Sequence, residues 1–372
     1  MALSTAIQST LSRHQHYIDM ALRATLRNII QTSTVSELNA YYGQMQYHLG
    51  WVDSNFTPIH NNPGKMIRPT LLLFSYEAAG AWGQLDDAST DDPTYLQRAL
   101  PAAVAVELTH NFTLIHDDIE DGDIERRHRP TAWKVWGLPQ ALNTGDGMFA
   151  LSRSALWGVL EKGVDGLTAA HLAQTLDQSV QTIAEGQYLD LSFESRFDIS
   201  VSMYLDMIKR KTAVLMGCAT KMGAMLGTHD EQIIERLHLF GDAIGIAFQV
   251  RDDMLGIWAT EAELGKTSSG DVYRRKKSLP ILHALEHAST ADQQTLTTIY
   301  QQTEELTPSQ VEQVLAIFER TQTRDYCRAF LRQQGKLAQE ALAMVPRTAN
   351  TIATRALDDM QLLIQYIADA AK

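Results

Sequence analysis

The stretch Ala102–Asp121, AAVAVELTHNFTLIHDDIED, decides how this chain reads. From Ala102 to Ile115 it is apolar apart from Glu107, Thr109, His110, Asn111 and Thr113. A helix apolar on most faces is central and buried. The run ends in Asp117, Asp118, Glu120 and Asp121, with Arg126-Arg127 close behind. Residues four apart share a helix face, so Asp117 and Asp121 project together and Asp118 sits one position round. A helix C-terminus is already negative, and each carboxylate added there costs roughly 0.3–1 kcal/mol unless a cation compensates. A divalent metal is the natural compensator. The pattern recurs at Ala243–Asp253, AIGIAFQVRDD, where a small-residue apolar run meets Asp252 and Asp253. Such sparse oxygen ligands suit Mg²⁺, which keeps several waters and is completed by substrate phosphates.

Composition narrows the classes. The 372 residues carry 32 Lys plus Arg against 44 Asp plus Glu, a net charge of −12, which argues against a nucleic-acid partner. An acidic protein binds an anion only through cations or a local basic patch, and the sequence offers both. Cys218 and Cys327 match no metal spacing and point to packing in a reducing, cytosolic setting. The first thirty residues lack the apolar core of a signal peptide, and no run approaches the ~18 residues of a membrane span.

Helical spacing dominates the chain and strand alternation is nearly absent. The predicted helices cover 5–31, 34–50, 66–80, 95–120, 131–160, 168–192, 200–227, 230–258, 279–288, 291–303, 308–319, 321–343 and 348–371. Turns fall at Asn61–Gly64, 86–93, 163–166 and 265–270, and no linker divides the chain. The acidic loop 86–93 follows no buried helix and reads as solvated.

Basic residues gather in three places. Gly64-Lys65-Met66-Ile67-Arg68-Pro69 follows a turn and opens a helix, where backbone N–H groups favour an anion and the Arg68 guanidinium suits phosphate oxygens. Arg126-Arg127-His128-Arg129-Pro130 follows the first acidic run, and His110 lies two turns before Asp117. Lys211-Thr212, Lys266 and Lys276-Lys277-Ser278 form the third set. Metal carboxylates and a separate Arg, Lys and His group imply two diphosphate sites and two anionic substrates.

In order, these motifs resemble the trans-isoprenyl diphosphate synthases, the head-to-tail prenyltransferases, and most of all the geranylgeranyl diphosphate synthases. The likeness runs from about residue 60 to 285, through GKMIRP, His110 to DDIED, RRHRP, KT, FQVRDD and GKTSSGDVYRRKKSLP. It implies an all-α fold, a single synthase domain over 1–372 built as one large helical bundle around a central apolar cavity, with flanking helices at both ends. It implies that Asp117, Asp121 and Asp252 hold Mg²⁺, three ions per site, and that Asp117, Asp121, Lys211 and Lys266 are catalytic. Lys65, Arg68, His110 and Arg127 would bind isopentenyl diphosphate. Arg126, Lys211, Thr212, Gln249, Lys266 and Lys276 would bind the allylic diphosphate, with Asp253 in support and Gln187 and Thr212 near the allylic tail. A cytoplasmic homodimer is also implied.

The chain departs from the family pattern in three places. Gly256 stands where the second motif normally ends in a third Asp, His128 replaces a usual Gly, and Ser278 replaces a usual Thr. Phe112 and Thr113, five and four residues before Asp117, would floor the cavity and favour a 20-carbon product over 15 or 25 carbons. Phe112 as plain core is the competing reading. A class I terpene cyclase would need no second diphosphate site, and its Asn, Ser and Glu metal motif is absent. A non-catalytic prenyltransferase subunit would be expected to lose the first aspartate motif, which is intact here. The pair His116-Asp117 also occurs in metal phosphohydrolases.

Overall fold

The computed structural model describes residues 2–59, 64–84, 94–259 and 269–369. The expected all-α architecture is present: α1 (Ala2–Ser12), α2 (Gln15–Thr32), α3 (Leu38–His48), α4 (Ile67–Ala78), α5 (Leu100–Glu120), α6 (Ala132–Trp136) and α7 (Leu138–Trp157). They are followed by α8 (Gly166–Phe193), α9 (Val201–Ile208), α10 (Val214–Gly227), α11 (Glu231–Trp258), α12 (Gly270–Tyr273) and α13 (Leu279–His287). The chain closes with α14 (Thr290–Gln301), α15 (Pro308–Arg320), α16 (Thr323–Ala343) and α17 (Thr351–Asp369). It forms two compact units. The first comprises residues 1–178, 218–235 and 345–360, and the second 179–217, 236–344 and 361–372.

In the first unit α5 runs along α7 and against α4. Residues Ala102, Ala103, Ala105, Val106 and Leu108 are fully buried, as the apolar run predicts. Gly122, at φ 68°, stops α5. Asp123 N donates to Asp118 O at 2.9 Å and Gly122 N to Ile119 O at 3.3 Å, closing the orphan carbonyls of the last turn. The acidic residues therefore stand at a defined helix end.

Four predicted helices are interrupted, and the one predicted over 95–120 opens as a 3-10 turn at Thr94–Arg98 before α5 begins at Leu100. The helix predicted over 5–31 breaks at Arg13-His14, because both side chains turn to the fully buried Glu77: Arg13 Nη2 lies 2.8 Å and His14 Nε2 3.0 Å from its carboxylate. Local spacing carries no sign of that partner 64 residues away. The segment 131–160 divides at Gly137 into α6 and α7. The segment 200–227 contains a widened π turn at Lys209–Ala213. Among the described residues the near-absence of strands has a local exception in a two-residue antiparallel ladder pairing Glu125 with Pro130 and Arg126 with Arg129. Its turn residues, Arg127 and His128, sit at φ 53° and 61°. Position 128 thus has the left-handed backbone that favours glycine.

In the second unit α13 packs against α9 and α16. Helix starts are locally encoded here: Ser200 caps α9 by accepting from Met203 N, and Thr307 with Gln310 forms a capping box for α15.

Candidate active site

The first unit holds the first acidic run and a basic cradle. Asp117 and Asp121 keep their shared helical face, with Asp121 N donating to Asp117 O at 2.8 Å; Asp117 is partly exposed and Asp121 exposed. Asp118 instead turns inward and is 2% exposed. Arg126 Nε donates to its Oδ1 at 2.6 Å, and Arg126 Nη2 lies 3.5 Å from Asp117. Burial raises the Asp118 carboxyl to about 6, against the pull of Arg126. Its second oxygen, Oδ2, is buried and has no hydrogen-bond partner among the described residues. Arg126, read from sequence as a diphosphate ligand, is thus held by the acidic run itself.

Lys65, Arg68, His110 and Arg127 come from three separate segments, and most of them gather. Arg68 Nη1 lies 3.1 Å from His110 Nε2. Burial, then Arg68 and Arg127, push the His110 pKa well below its ordinary value, so the ring is neutral and accepts from the guanidinium. The Arg127 guanidinium rests about 3.5 Å from where a Cβ on Gly64 would stand. Glu107 is buried in the field of Arg68 and Arg127 and accepts from Asn111 Nδ2 at 2.9 Å; burial raises its carboxyl pKa. Lys65 is exposed, and its carbonyl accepts from Gln15 Nε2 at 3.0 Å.

Sequence reasoning missed His48 at the end of α3. It joins Asp118, Arg126, Arg127 and Arg129 around a cleft of about 30 Å³, room for about one water. Burial and then Arg127, Arg126 and Arg129 lower its pKa to about 3. No motif around Tyr47-His48 marks it, since only the fold brings it to the arginines. Phe112 packs edge-on to Phe149 of α7 at 5.2 Å and to His116 at 5.8 Å. It therefore lies on the α7 side of α5, while Thr113, four residues before Asp117, shares the Asp117 face.

The second unit holds the other basic set. Lys211 Nζ lies 2.6 Å from Asp190, a partner that the sequence reading left out of the site. Thr212 Oγ1 donates to Gln249 Oε1 at 3.1 Å, and Gln249 Nε2 donates to Asp253 Oδ1 at 3.1 Å. Asp253 is fully buried and also receives Tyr204 Oη at 2.5 Å and Leu279 N at 3.5 Å, with Lys276 Nζ 3.7 Å away. Burial raises its pKa despite these partners. Burial also opposes the Lys276 charge, but Asp253, Asp271 and Asp190 outweigh it and raise the lysine pKa. Asp253 is accordingly a hub that positions Tyr204, Gln249 and Lys276, while Asp252 points outward from α11.

The widened turn carrying Lys211 and Thr212 fits between two glycines: Cβ atoms on Gly186 and Gly245 would fall 2.3 Å from Lys211 N and 2.6 Å from Ala213 Cα. Lys277 is occupied elsewhere, donating to the carbonyls of Phe193, Glu194 and Arg196. Lys266 lies outside the described residues, as does the acidic loop 86–93. Among the described residues no three His, Cys, Asp or Glu side chains converge as a ready-made metal site. No helix among them is long and apolar enough to cross a membrane.

The polyprenyl synthetase family model matches residues 50–318. The chain is 35% identical over 325 residues to a (2E,6E)-farnesyl diphosphate synthase of Mycobacterium tuberculosis, covering 87% of this chain and 85% of that protein. It is 36% identical over 271 residues to a geranylgeranyl diphosphate synthase of the same organism, covering 73% and 72%. Among solved structures it is similar to a polyprenyl synthetase from Streptomyces coelicolor, with TM-score 0.82 and 32% identity, covering 97% of this chain and 99% of that one. Motif order, helical architecture and sequence likeness agree: the chain belongs to the polyprenyl synthetase family.

Proposed function

We propose that this trans-prenyltransferase condenses isopentenyl diphosphate with an allylic diphosphate to give geranylgeranyl diphosphate, with Mg²⁺ as the divalent metal and 1–372 acting as one synthase domain. The observation that carries the reading is the cradle of Gly64, Arg68, His110 and Arg127, a basic group gathered from three segments of the first unit. A cyclase acting on one diphosphate has no use for it.

Asp117, Asp121 and Asp252 are assigned to the metal. The buried Asp118 Oδ2, next in the chain to Asp117 and without a hydrogen-bond partner among the described residues, fits a neighbouring cation. When bound, the metal supplies neutralisation of the departing diphosphate. Lys211, Lys276 and Lys266 are assigned to that same diphosphate, with Asp190 and the Asp253 hub fixing the first two. Their charge stabilises the leaving group as the allylic carbon–oxygen bond ionises to a delocalised carbocation. The cradle holds isopentenyl diphosphate so that its terminal alkene attacks that cation. Proton loss then restores a double bond, with the released diphosphate as base. No side-chain nucleophile is needed. Apolar α5 surroundings exclude the water that would quench the cation.

The 20-carbon product rests on Phe112 and Thr113, with Phe149 extending the aromatic wall. The farnesyl synthase relative aligns over more of the chain than the geranylgeranyl relative, which supports a 15-carbon product as the second reading. Purified protein with Mg²⁺, isopentenyl diphosphate and dimethylallyl, geranyl or farnesyl diphosphate, followed by product sizing, decides between them. Accumulation of 20-carbon product supports the first reading and arrest at 15 carbons the second. Absence of condensation overturns both.

A further inference from the structure

Lys276 and Lys277 lie in the non-helical segment between α12 and α13 and reach different elements. Lys276 Nζ approaches Asp253 of α11 at 3.7 Å. Lys277 Nζ turns to the end of α8, where it donates to Glu194 O at 2.6 Å, to Phe193 O at 3.4 Å and to Arg196 O. The Phe197 ring centroid lies 4.0 Å from the same nitrogen. An ammonium has three N–H donors, so each has a carbonyl and the aromatic face adds a further contact. Carbonyls at a helix C-terminus carry the negative end of the macrodipole, and the arrangement therefore selects a cation.

The clasp holds the route from α8 to α9. Asp190 lies one turn before Phe193 on α8 and keeps Lys211 Nζ at 2.6 Å. Beyond the clasp, Val201 N at the start of α9 donates to Glu286 Oε1 of α13 at 2.7 Å. Helix α9 runs straight into the widened turn that carries Lys211. The α8–α9 connection is thus gripped twice from the α13 side, by Lys277 at one end and Glu286 at the other. Lys276 is one residue from the clasp and lies in the field of both Asp190 and Lys211.

We propose that Lys277 is a positioning residue, a cation clasp on the carbonyls that close α8, which fixes Lys276 relative to the Lys211–Asp190 pair. This rests on the reading above, in which Lys211 and Lys276 serve one diphosphate. Lys277 itself touches no substrate. It sets the spacing of the two lysines, and one diphosphate meets both only while that spacing is kept.

Steady-state kinetics of the full chain with geranyl and isopentenyl diphosphate test the idea, each variant being assayed below its measured Tm. Lys277→Met keeps the stem and removes the charge. It should lower kcat/KM for geranyl diphosphate on the order of 10²-fold, the scale of an ångström-sized misplacement, and leave KM for isopentenyl diphosphate unchanged. Lys277→Arg restores a cation and should recover most of that loss. In Lys277→Ala, added propylammonium supplies the missing methylenes and ammonium and should raise kcat/KM, whereas tetramethylammonium, which has no N–H donor, should not. Wild-type kcat/KM in Lys277→Met overturns the proposal, as does a loss falling equally on both substrates or an equal response to the two ammonium ions. A wild-type chain that forms no condensation product from this substrate pair overturns the functional reading itself.

Discussion

Gly186→Ala tests whether packing holds the Lys211 turn in place. The new Cβ would stand 2.3 Å from Lys211 N, 2.7 Å from Lys211 Cα and 2.8 Å from Arg210 C. All three are backbone atoms, so no rotamer change relieves the overlap. Reaching a separation of even 3.0 Å needs a displacement of about 0.7 Å. The turn cannot retreat freely, because a Cβ on Gly245 would fall only 2.6 Å from Ala213 Cα on its other side. Overpacking of this kind costs about 1–3 kcal/mol. The same shift draws Lys211 from Asp190 and Thr212 from Gln249, contacts now of 2.6 and 3.1 Å. Misplacement by about 1 Å can cost on the order of 10²-fold in rate. Calorimetric Tm and kcat/KM for the allylic substrate at saturating isopentenyl diphosphate measure both effects. Gly335→Ala is the control: its nearest neighbour is Ile364 Cγ2 at 3.8 Å, an ordinary contact inside α16, so alanine should add about 0.5–1 kcal/mol. A Gly186→Ala protein with wild-type Tm and kcat/KM would refute the argument.

Asp117→Ala and Asp121→Ala should each lower condensation more than about 10²-fold while circular dichroism stays native, since both project from a helix end; near-normal turnover would remove them from the metal set. Arg68→Ala and His110→Ala should mainly raise KM for isopentenyl diphosphate, whereas Lys211→Ala should act on the allylic substrate or on kcat. One common steady-state profile for all three variants would dissolve the two-site division. His128→Gly should gain about 1 kcal/mol because position 128 is held at φ 61°, and an unchanged or lowered Tm contradicts that strain. In metal-free buffer the Asp118 carboxyl, at about 6 in the fold, binds its proton more tightly than in the unfolded chain. Its contribution to stability is therefore full below about pH 4 and is lost as pH rises through 6, on the order of 2–3 kcal/mol. Asp118→Asn should flatten that part of the pH–Tm curve, and parallel curves for the two proteins would contradict it.

Spacing along the chain placed most of the helices and all of the motif order. The apolar run of Ala102–Ile115 could only be a buried helix, and Asp117 with Asp121 share a face because that relation lies within one helix turn. Turn and cap residues act over three or four positions, so Ser200, Thr307 and Gly122 could be read locally. The tertiary structure decided which charged groups meet. Asp118 turns to Arg126, His48 joins three arginines, Asp253 becomes a buried hub, and Asp271 fills the space left by Gly256. Arg13 and His14 break a helix to reach Glu77. Each of these depends on a partner from another element, whose position is set by packing and not by spacing along the chain. That separation is also why Asp252 and Asp253, adjacent and chemically identical, differ so much. One faces outward from α11, and the other is buried under Tyr204, Gln249 and Leu279.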